Sequence, residues 1–166
     1  MQRLTTEQRS NIVRAAKDWL GTPYHHHARI KGAGADCAMF PLAVYQECGV
    51  LPREYRPPQY SVQWHLHRSE ELYLNEIEKF VTEIQTPPQP GDFIVFRVGR
   101  TFSHGAIVVS WPIVIHAYIP HGVLLSDALR DGELLGREHK CFEVRPGAAM
   151  EAANRLNDDS PMTVNL

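Results

Sequence analysis

Apolar residues recur at helical spacing in three stretches of the first half of the chain. Residues 6–20 carry the first stripe and are followed by Gly21, and residues 40–48 carry the second and are followed by Gly49. A glycine just after the last apolar position is typical of a helix C-terminus. Residues 70–84 carry the third stripe, which a cluster of prolines closes off. The pattern therefore predicts three helices.

Beyond residue 90 the pattern changes to short runs of β-branched and aromatic residues, which are typical of strands. The predicted strands span residues 93–98, 105–111, 113–118, 122–125 and 141–144. Helices followed by a run of strands indicate an α+β fold with an antiparallel sheet. We therefore predict N-terminal helices packed on an antiparallel β-meander of about five strands.

The size and composition of the chain are those of an ordinary globular protein. It has 166 residues, of which 43% are hydrophobic and 22% are charged. This is enough for one domain with a real core. We predict a single domain over residues 1–149 and a polar C-terminal tail over residues 150–166.

Charge and hydropathy exclude some classes of function. The net charge is −2 and basic residues are not clustered, so binding to nucleic acid is not expected. No apolar run approaches the roughly 20 residues of a membrane span, so no membrane partner is expected. Residues 1–10 are polar and do not resemble a signal peptide, which predicts a chain that is cytoplasmic when made. The three cysteines are expected to be reduced.

A glycine-rich loop leads into the second predicted helix and places Cys37 in its first turn. Asp36 is suited to cap this helix through a carboxylate oxygen. Free N–H groups and the positive end of the macrodipole favour a thiolate there, so we predict a lowered pKa for Cys37. The alternative is a buried core cysteine, which is the common fate of this residue type.

Two histidines in the predicted sheet are candidate partners for a nucleophilic thiol. His104 begins one apolar strand and His116 lies within the next, with Trp111 and Pro112 between the strands. If those strands pair, the two side chains are neighbours, since paired strands lie about 4.8 Å apart. His104 would then accept the thiol proton and His116 would orient its ring. Alternatively, His116 is a hydrogen-bonded core residue and His104 a strand-edge residue.

Several short segments together resemble the NlpC family of papain-like cell-wall cysteine peptidases. They occur in the family's order and with similar spacing, over roughly residues 10–125. The Tyr24-His25-His26 stretch and the Lys31-Gly32 loop are most similar to the phage-tail and prophage branch. The segments are Gly21-Thr22-Pro23-Tyr24, Asp36-Cys37, Pro90-Gly91-Asp92-Phe93, His104-Gly105-Ala106-Ile107 and Ile115-His116-Ala117.

The resemblance implies a papain-like fold and a peptidase that cleaves peptidoglycan stem peptides, commonly between D-glutamate and a diamino acid. It assigns Cys37 as the nucleophile, His104 as the base and His116 as the third polar residue. It places Tyr24 and Asp36 beside the oxyanion and the substrate. It further implies a phage tail or similar delivery machine as a partner, with action at the cell wall.

Two features depart from the usual family pattern. Ala38 and Met39 follow the cysteine where family members usually have serine and glycine, which affects the expected choice of substrate. Histidines at 25–27 replace an aromatic-Gly-Gly stretch. With His65 and His67 they suggest a metal site, but no zinc-binding spacing accompanies them. We therefore predict no metal or other cofactor, and interpret these histidines as lining of a cleft or as a solvated loop.

Two other functions fit the same sequence. One is a thiol amidase or acyltransferase of the same fold, with a different acyl donor near Ala38 and Met39. The other is a catalytically silent structural module of a phage tail. The presence of Cys37, His104 and His116 together argues against the silent module, because a structural protein has no need of all three.

Overall fold

A computed structural model describes residues 3–60 and 72–147 of the chain. The predicted tail at 150–166, the first two residues of the predicted third helix, and His65 and His67 lie outside these residues. The described part has three helices: α1 (Thr6–Asp18), α2 (Met39–Glu47) and α3 (Leu72–Ile77).

Helix α1 begins at a capping box and buries one face. The Thr5 side chain accepts the backbone N–H of Gln8, and the Gln8 side chain accepts the backbone N–H of Thr5. These two bonds satisfy N–H groups that have no partner within the helix. The predicted apolar stripe packs inward through Ile12 and Ala16, both fully buried.

Eight strands form two sheets within the described residues. Strands β1 (Arg29–Ile30) and β2 (Gly34–Ala35) form a small hairpin just before α2. The other six form an antiparallel sheet in the order β3-β8-β4-β5-β6-β7. They are β3 (Val81–Ile84), β4 (Phe93–Val98), β5 (Thr101–Ser110), β6 (Ile113–Tyr118), β7 (Gly122–Asp127) and β8 (His139–Val144).

The α+β class with an antiparallel sheet is confirmed, but the predicted simple meander is wrong at its end. Strands β4 to β7 are consecutive neighbours, as predicted. Strand β8 does not extend this series beyond β7. It returns to pair with β4, where Phe142 lies opposite Phe93, and it also pairs with β3. The sheet therefore has six strands, and β7 lies at one edge.

The prediction of a third helix over residues 70–84 is wrong in its second half. Helix α3 ends at Ile77, a turn follows, and Val81–Ile84 is a strand paired with β8. Val81, Thr82 and Ile84 are β-branched, and such residues pack well on a pleated surface. Their apolar spacing alone did not distinguish a helix from a short strand.

Strand β5 begins four residues earlier than predicted, at Thr101, so His104 lies inside the strand and not at its start. A side chain is excluded at the next position, Gly105. A Cβ there would lie 2.5 Å from the Tyr73 hydroxyl and 2.8 Å from Cζ of Phe93. Helix α3 and strand β4 therefore approach the backbone of β5 closely beside the candidate base.

Candidate active site

The Asp36 carboxylate is the cap of helix α2, as predicted. Its Oδ1 accepts the backbone N–H groups of Ala38, at 3.1 Å, and Met39, at 2.8 Å. Its backbone carbonyl accepts the Phe40 N–H at 3.0 Å, so the hydrogen bonds of the helix begin at Asp36 even though regular helical geometry begins at Met39. Cys37 therefore lies in the first turn.

Asp36 is buried and its carboxylate binds two further groups. Its Oδ2 accepts the backbone N–H of His27, at 2.8 Å, and the Tyr60 hydroxyl, at 2.6 Å. The side chain is 1% exposed. Asp36 thus precedes Cys37 with its carboxylate bound by four donors of the protein itself. The carboxylate therefore connects helix α2, the loop at residues 25–27 (the histidine loop) and Tyr60.

The Cys37 thiol contacts the backbone of strand β5 at the two residues that flank His104. Its Sγ donates to the Ser103 carbonyl oxygen at 3.8 Å, and the Gly105 backbone N–H forms a hydrogen bond to the sulfur. Pairing between β5 and β6 covers residues 107–110 of β5, so this backbone lies beyond the paired part. The thiol therefore bonds backbone groups of β5 in a part of the strand that does not pair with β6.

The prediction of a lowered pKa for Cys37 is wrong for the resting protein. Burial, and next the negative charge of Asp36, raise the pKa of the thiol to about 12. The positive end of the helix favours a thiolate. The carboxylate that caps this end, however, lies beside the thiol and opposes its ionisation. The neutral thiol therefore predominates at pH 7, and it needs a base to become a nucleophile.

Alkylation with iodoacetamide should reveal this raised pKa. Because only the thiolate reacts, we expect slow labelling of Cys37 at pH 7 and a rate that rises about tenfold per pH unit. Cys141, whose pKa burial raises to about 11, provides an internal comparison in the same peptide map. Rapid labelling of Cys37 at a rate independent of pH would instead show a resting thiolate.

Tyr24 lies beside Cys37, the position that the family resemblance implied. Its hydroxyl interacts with both the thiol and the backbone N–H of Cys37. Burial, followed by the charge that Cys37 carries as a thiolate, raises the pKa of Tyr24 well above its ordinary value, so the phenol stays protonated. The Tyr24 hydroxyl and the Cys37 N–H are therefore two donors close to the sulfur, as stabilisation of an oxyanion requires.

His104 and His116 are in direct contact, as the predicted pairing of their strands required. Nε2 of His104 lies 2.7 Å from Nδ1 of His116. Both rings are buried, His104 at 6% and His116 at 0% exposure. If His104 is the base, Nδ1 is therefore the ring nitrogen that would accept the thiol proton. The contact agrees with a base and an orienting residue, and these two roles remain predictions.

His116 is neutral at physiological pH. Burial lowers its pKa to about 4, although the nearby carboxylates of Glu133 and Asp131 oppose this shift. A neutral imidazole has one N–H and one acceptor nitrogen. His116 can therefore accept a hydrogen bond from His104 and donate one elsewhere.

The neutral state of His116 should make the fold sensitive to acid. The unfolded chain binds a proton at this side chain near pH 6.5, whereas the folded chain resists it until about pH 4. Stability should therefore decrease as the pH falls from 6.5 to 4, by about 3 kcal/mol from this residue. Urea denaturation at several pH values measures the effect. The His116→Asn variant lacks the titrating ring and should lose less stability over the same range; equal losses would exclude this origin.

The histidine loop contacts Tyr60, a contact that the sequence gave no means to predict. The His27 ring stacks on the Tyr60 ring with centroids 4.0 Å apart. Nε2 of His26 lies 3.0 Å from the Tyr60 carbonyl oxygen. His26 and His27 are half-buried and His25 is exposed. His25 is therefore solvated, whereas His26 and His27 are partly covered by Tyr60.

Sequence analysis also missed Ser126. Its Oγ lies 2.8 Å from Nε2 of His116. The predicted strand ended at Leu125, two residues before the end of β7 at Asp127, and so left Ser126 out. Side chains of a strand point alternately to its two faces. Leu124 lies directly opposite His116, and Ser126, two residues further, lies on the same face. This alternation could have revealed the contact.

Within residues 3–60 and 72–147, no three His, Cys, Asp or Glu side chains are grouped so that they could hold a metal ion. None of the helices in these two ranges is long and apolar enough to cross a bilayer.

The fold and this arrangement define a papain-like α+β domain in which a cysteine at a helix N-terminus bonds the sheet backbone on both sides of a histidine. Residues 21–132 match the model of the NlpC/P60 family, which is more than half of the chain. The chain therefore belongs to the NlpC/P60 family. No curated protein matches it.

Solved structures of this family share the fold at low sequence identity. One is the NlpC/p60 domain of the peptidoglycan hydrolase SagA, at 19% identity and a TM-score of 0.53, covering 80% of this chain and 96% of that one. NlpC1 from Trichomonas vaginalis has 16% identity and a TM-score of 0.61, covering 87% of this chain and 46% of that one. An NlpC/P60 protein from Bacillus cereus ATCC 10987 has 19% identity and a TM-score of 0.57, covering 84% and 40%. The chain thus spans less than half of the last two proteins.

Proposed function

We propose that this protein is a cysteine peptidase that hydrolyses peptide bonds in the stem peptides of peptidoglycan. Cys37 is the nucleophile, His104 the base and His116 the residue that orients the base. The observation that carries the proposal is the thiol bonded to the backbone on both sides of His104, whose ring is held by His116 at 2.7 Å. Membership of the NlpC/P60 family supports the substrate class.

In the first step, the thiol proton moves to Nδ1 of His104 and the sulfur attacks the carbonyl carbon of the scissile bond. The Tyr24 hydroxyl and the Cys37 N–H stabilise the oxyanion. The imidazolium then protonates the leaving amine, and a thioester with Cys37 remains. Water, deprotonated by His104, hydrolyses the thioester and restores the thiol. Because the resting thiol is neutral, proton transfer to His104 is required before attack.

The scissile bond is the one between D-glutamate and the diamino acid, as the sequence resemblance implies. The likeness of the loop before Cys37 to the phage-tail branch supports an association with a phage tail or a similar delivery machine. In that setting the enzyme cleaves the wall locally. Such a machine would also account for transport to the wall.

Incubation of the purified protein with muropeptides, followed by mass spectrometry of the products, tests the proposal. We expect new amine and carboxyl termini at the D-glutamyl bond. Activity should survive EDTA, because a thiol and an imidazole need no metal ion. Cleavage at another bond would contradict the assigned specificity, and absence of turnover would favour a structural module.

An apolar cavity favours a second candidate function, a thiol amidase or acyltransferase. The cavity has a volume of about 350 Å³, and Ala38, the residue after the nucleophile, is part of its lining. Its other lining residues include Leu42, Tyr73 and Phe93. A cavity of this kind suits an apolar acyl group better than a charged stem peptide. Acyl exchange in the same mass-spectrometric assay, with an added amine acceptor and an acyl-amide donor, would distinguish this function.

A further inference from the structure

Ser126 extends the pair of histidines into a chain of three buried polar side chains. Its Oγ lies 2.8 Å from Nε2 of His116, whose Nδ1 lies 2.7 Å from Nε2 of His104. Ser126 is 3% exposed and His116 is fully buried. An unpaired polar group in such a place costs about 1–3 kcal/mol, so each hydrogen of this chain needs an acceptor.

The two hydrogen bonds that join Ser126, His116 and His104 can be donated in either of two directions, and only one direction lets His104 act as a base. In the first, His104 donates from Nε2 to Nδ1 of His116, and His116 donates from Nε2 to Ser126. Nδ1 of His104 is then an acceptor. In the second, Ser126 donates to His116 and His116 donates to His104. The hydrogen of neutral His104 is then on Nδ1, which cannot accept the thiol proton.

We propose that Ser126 is a positioning residue, whose Oγ accepts the Nε2–H of His116 and thereby fixes the tautomers of both histidines in the direction that catalysis needs. The catalytic part of this inference rests on the proposed function. Ser126 contacts His116, and in this proposal it acts only through that residue. The residue directly opposite His116, Leu124, has no acceptor on its side chain.

Protonation of His104 strengthens the requirement. As an imidazolium, His104 has hydrogens on both nitrogens, so Nδ1 of His116 must be an acceptor. The single hydrogen of neutral His116 is then on Nε2, where Ser126 provides an oxygen within bonding distance. Without that oxygen, the intermediate state of the reaction would contain a buried N–H with no acceptor from residue 126.

The test combines nitrogen-15 NMR of the histidine rings with kinetics, for the wild type and three variants. In the wild type we expect His116 with its hydrogen on Nε2. Ser126→Ala should shift His116 toward the Nδ1–H form and lower kcat roughly 10- to 100-fold with little change in KM, by analogy with the loss of residues that hydrogen-bond metal-bound histidines. Ser126→Thr keeps the hydroxyl and should restore the wild-type tautomer and most of kcat. Ser110→Ala, at an exposed serine of β5, is the control and should change neither.

The NMR readout needs no substrate, so it separates this inference from the proposed function. An unchanged His116 tautomer in Ser126→Ala would overturn the inference, even if the protein hydrolyses muropeptides. A changed tautomer in a protein that hydrolyses no muropeptide would support the positioning role and contradict the proposed function. Circular dichroism of each variant verifies the fold.

Discussion

Hydrolysis of muropeptides should fall by roughly 10⁶-fold when Cys37 is replaced by alanine, the loss seen when a covalent nucleophile is removed from a peptidase. Alanine is close in size to cysteine and leaves the Asp36 cap in place, so the fold should persist. Cys37→Ser keeps a polar atom beside β5 but supplies a much poorer nucleophile, because a serine hydroxyl is harder to deprotonate than a thiol. We expect it to be nearly as inactive, by rate measurements with mass-spectrometric detection.

Cys48→Ala is the matched control for this experiment. Cys48 lies at the other end of the same helix and packs beside the core, away from β5. The variant should keep wild-type activity. If Cys37→Ala retained activity and Cys48→Ala lost it, the nucleophile would be misassigned.

Removal of the base should have the second largest effect. His104→Ala leaves the neutral thiol, whose pKa is about 12, without a proton acceptor. We expect kcat to fall by roughly 10²–10⁴-fold, the usual contribution of a general base. Circular dichroism shows whether the cavity left in the sheet has disturbed the fold.

Substitutions of His116 should give graded losses. His116→Asn keeps a side-chain oxygen that can accept the hydrogen of His104, whereas His116→Ala leaves the ring free to rotate. We expect asparagine to retain clearly more activity than alanine, and both to exceed His104→Ala. An active His104→Ala together with an inactive His116→Ala would show that the two roles are reversed, or that the base lies in the loop at residues 25–27.

The contact between His104 and His116 could be predicted because it depends on local rules. A short turn joins two apolar strands, and paired strands bring side chains of one face together. The cap at Asp36 was predictable for the same reason, since it involves residues two and three positions apart.

The features that sequence analysis missed depend on distant parts of the chain. The return of β8 to β4 joins residues about fifty positions apart, and nothing in either strand specifies the partner. The contact between His27 and Tyr60 joins two loops of irregular structure. The pKa of Cys37 depends on how deeply the thiol is buried, a property that helix position alone does not give.

The strand order also separates early from late contacts during folding. The contacts from His104 to His116 and from His116 to Ser126 span 12 and 10 residues, within consecutive hairpins. The contact from Cys37 to Ser103 spans 66 residues, and β3 finds its partner only when β8 has been synthesised. Closing a longer loop costs more entropy, and chains dominated by distant contacts fold more slowly. By this measure of loop length, the two imidazoles should come together before the thiol reaches them, so Cys37 and His104 would meet late in folding.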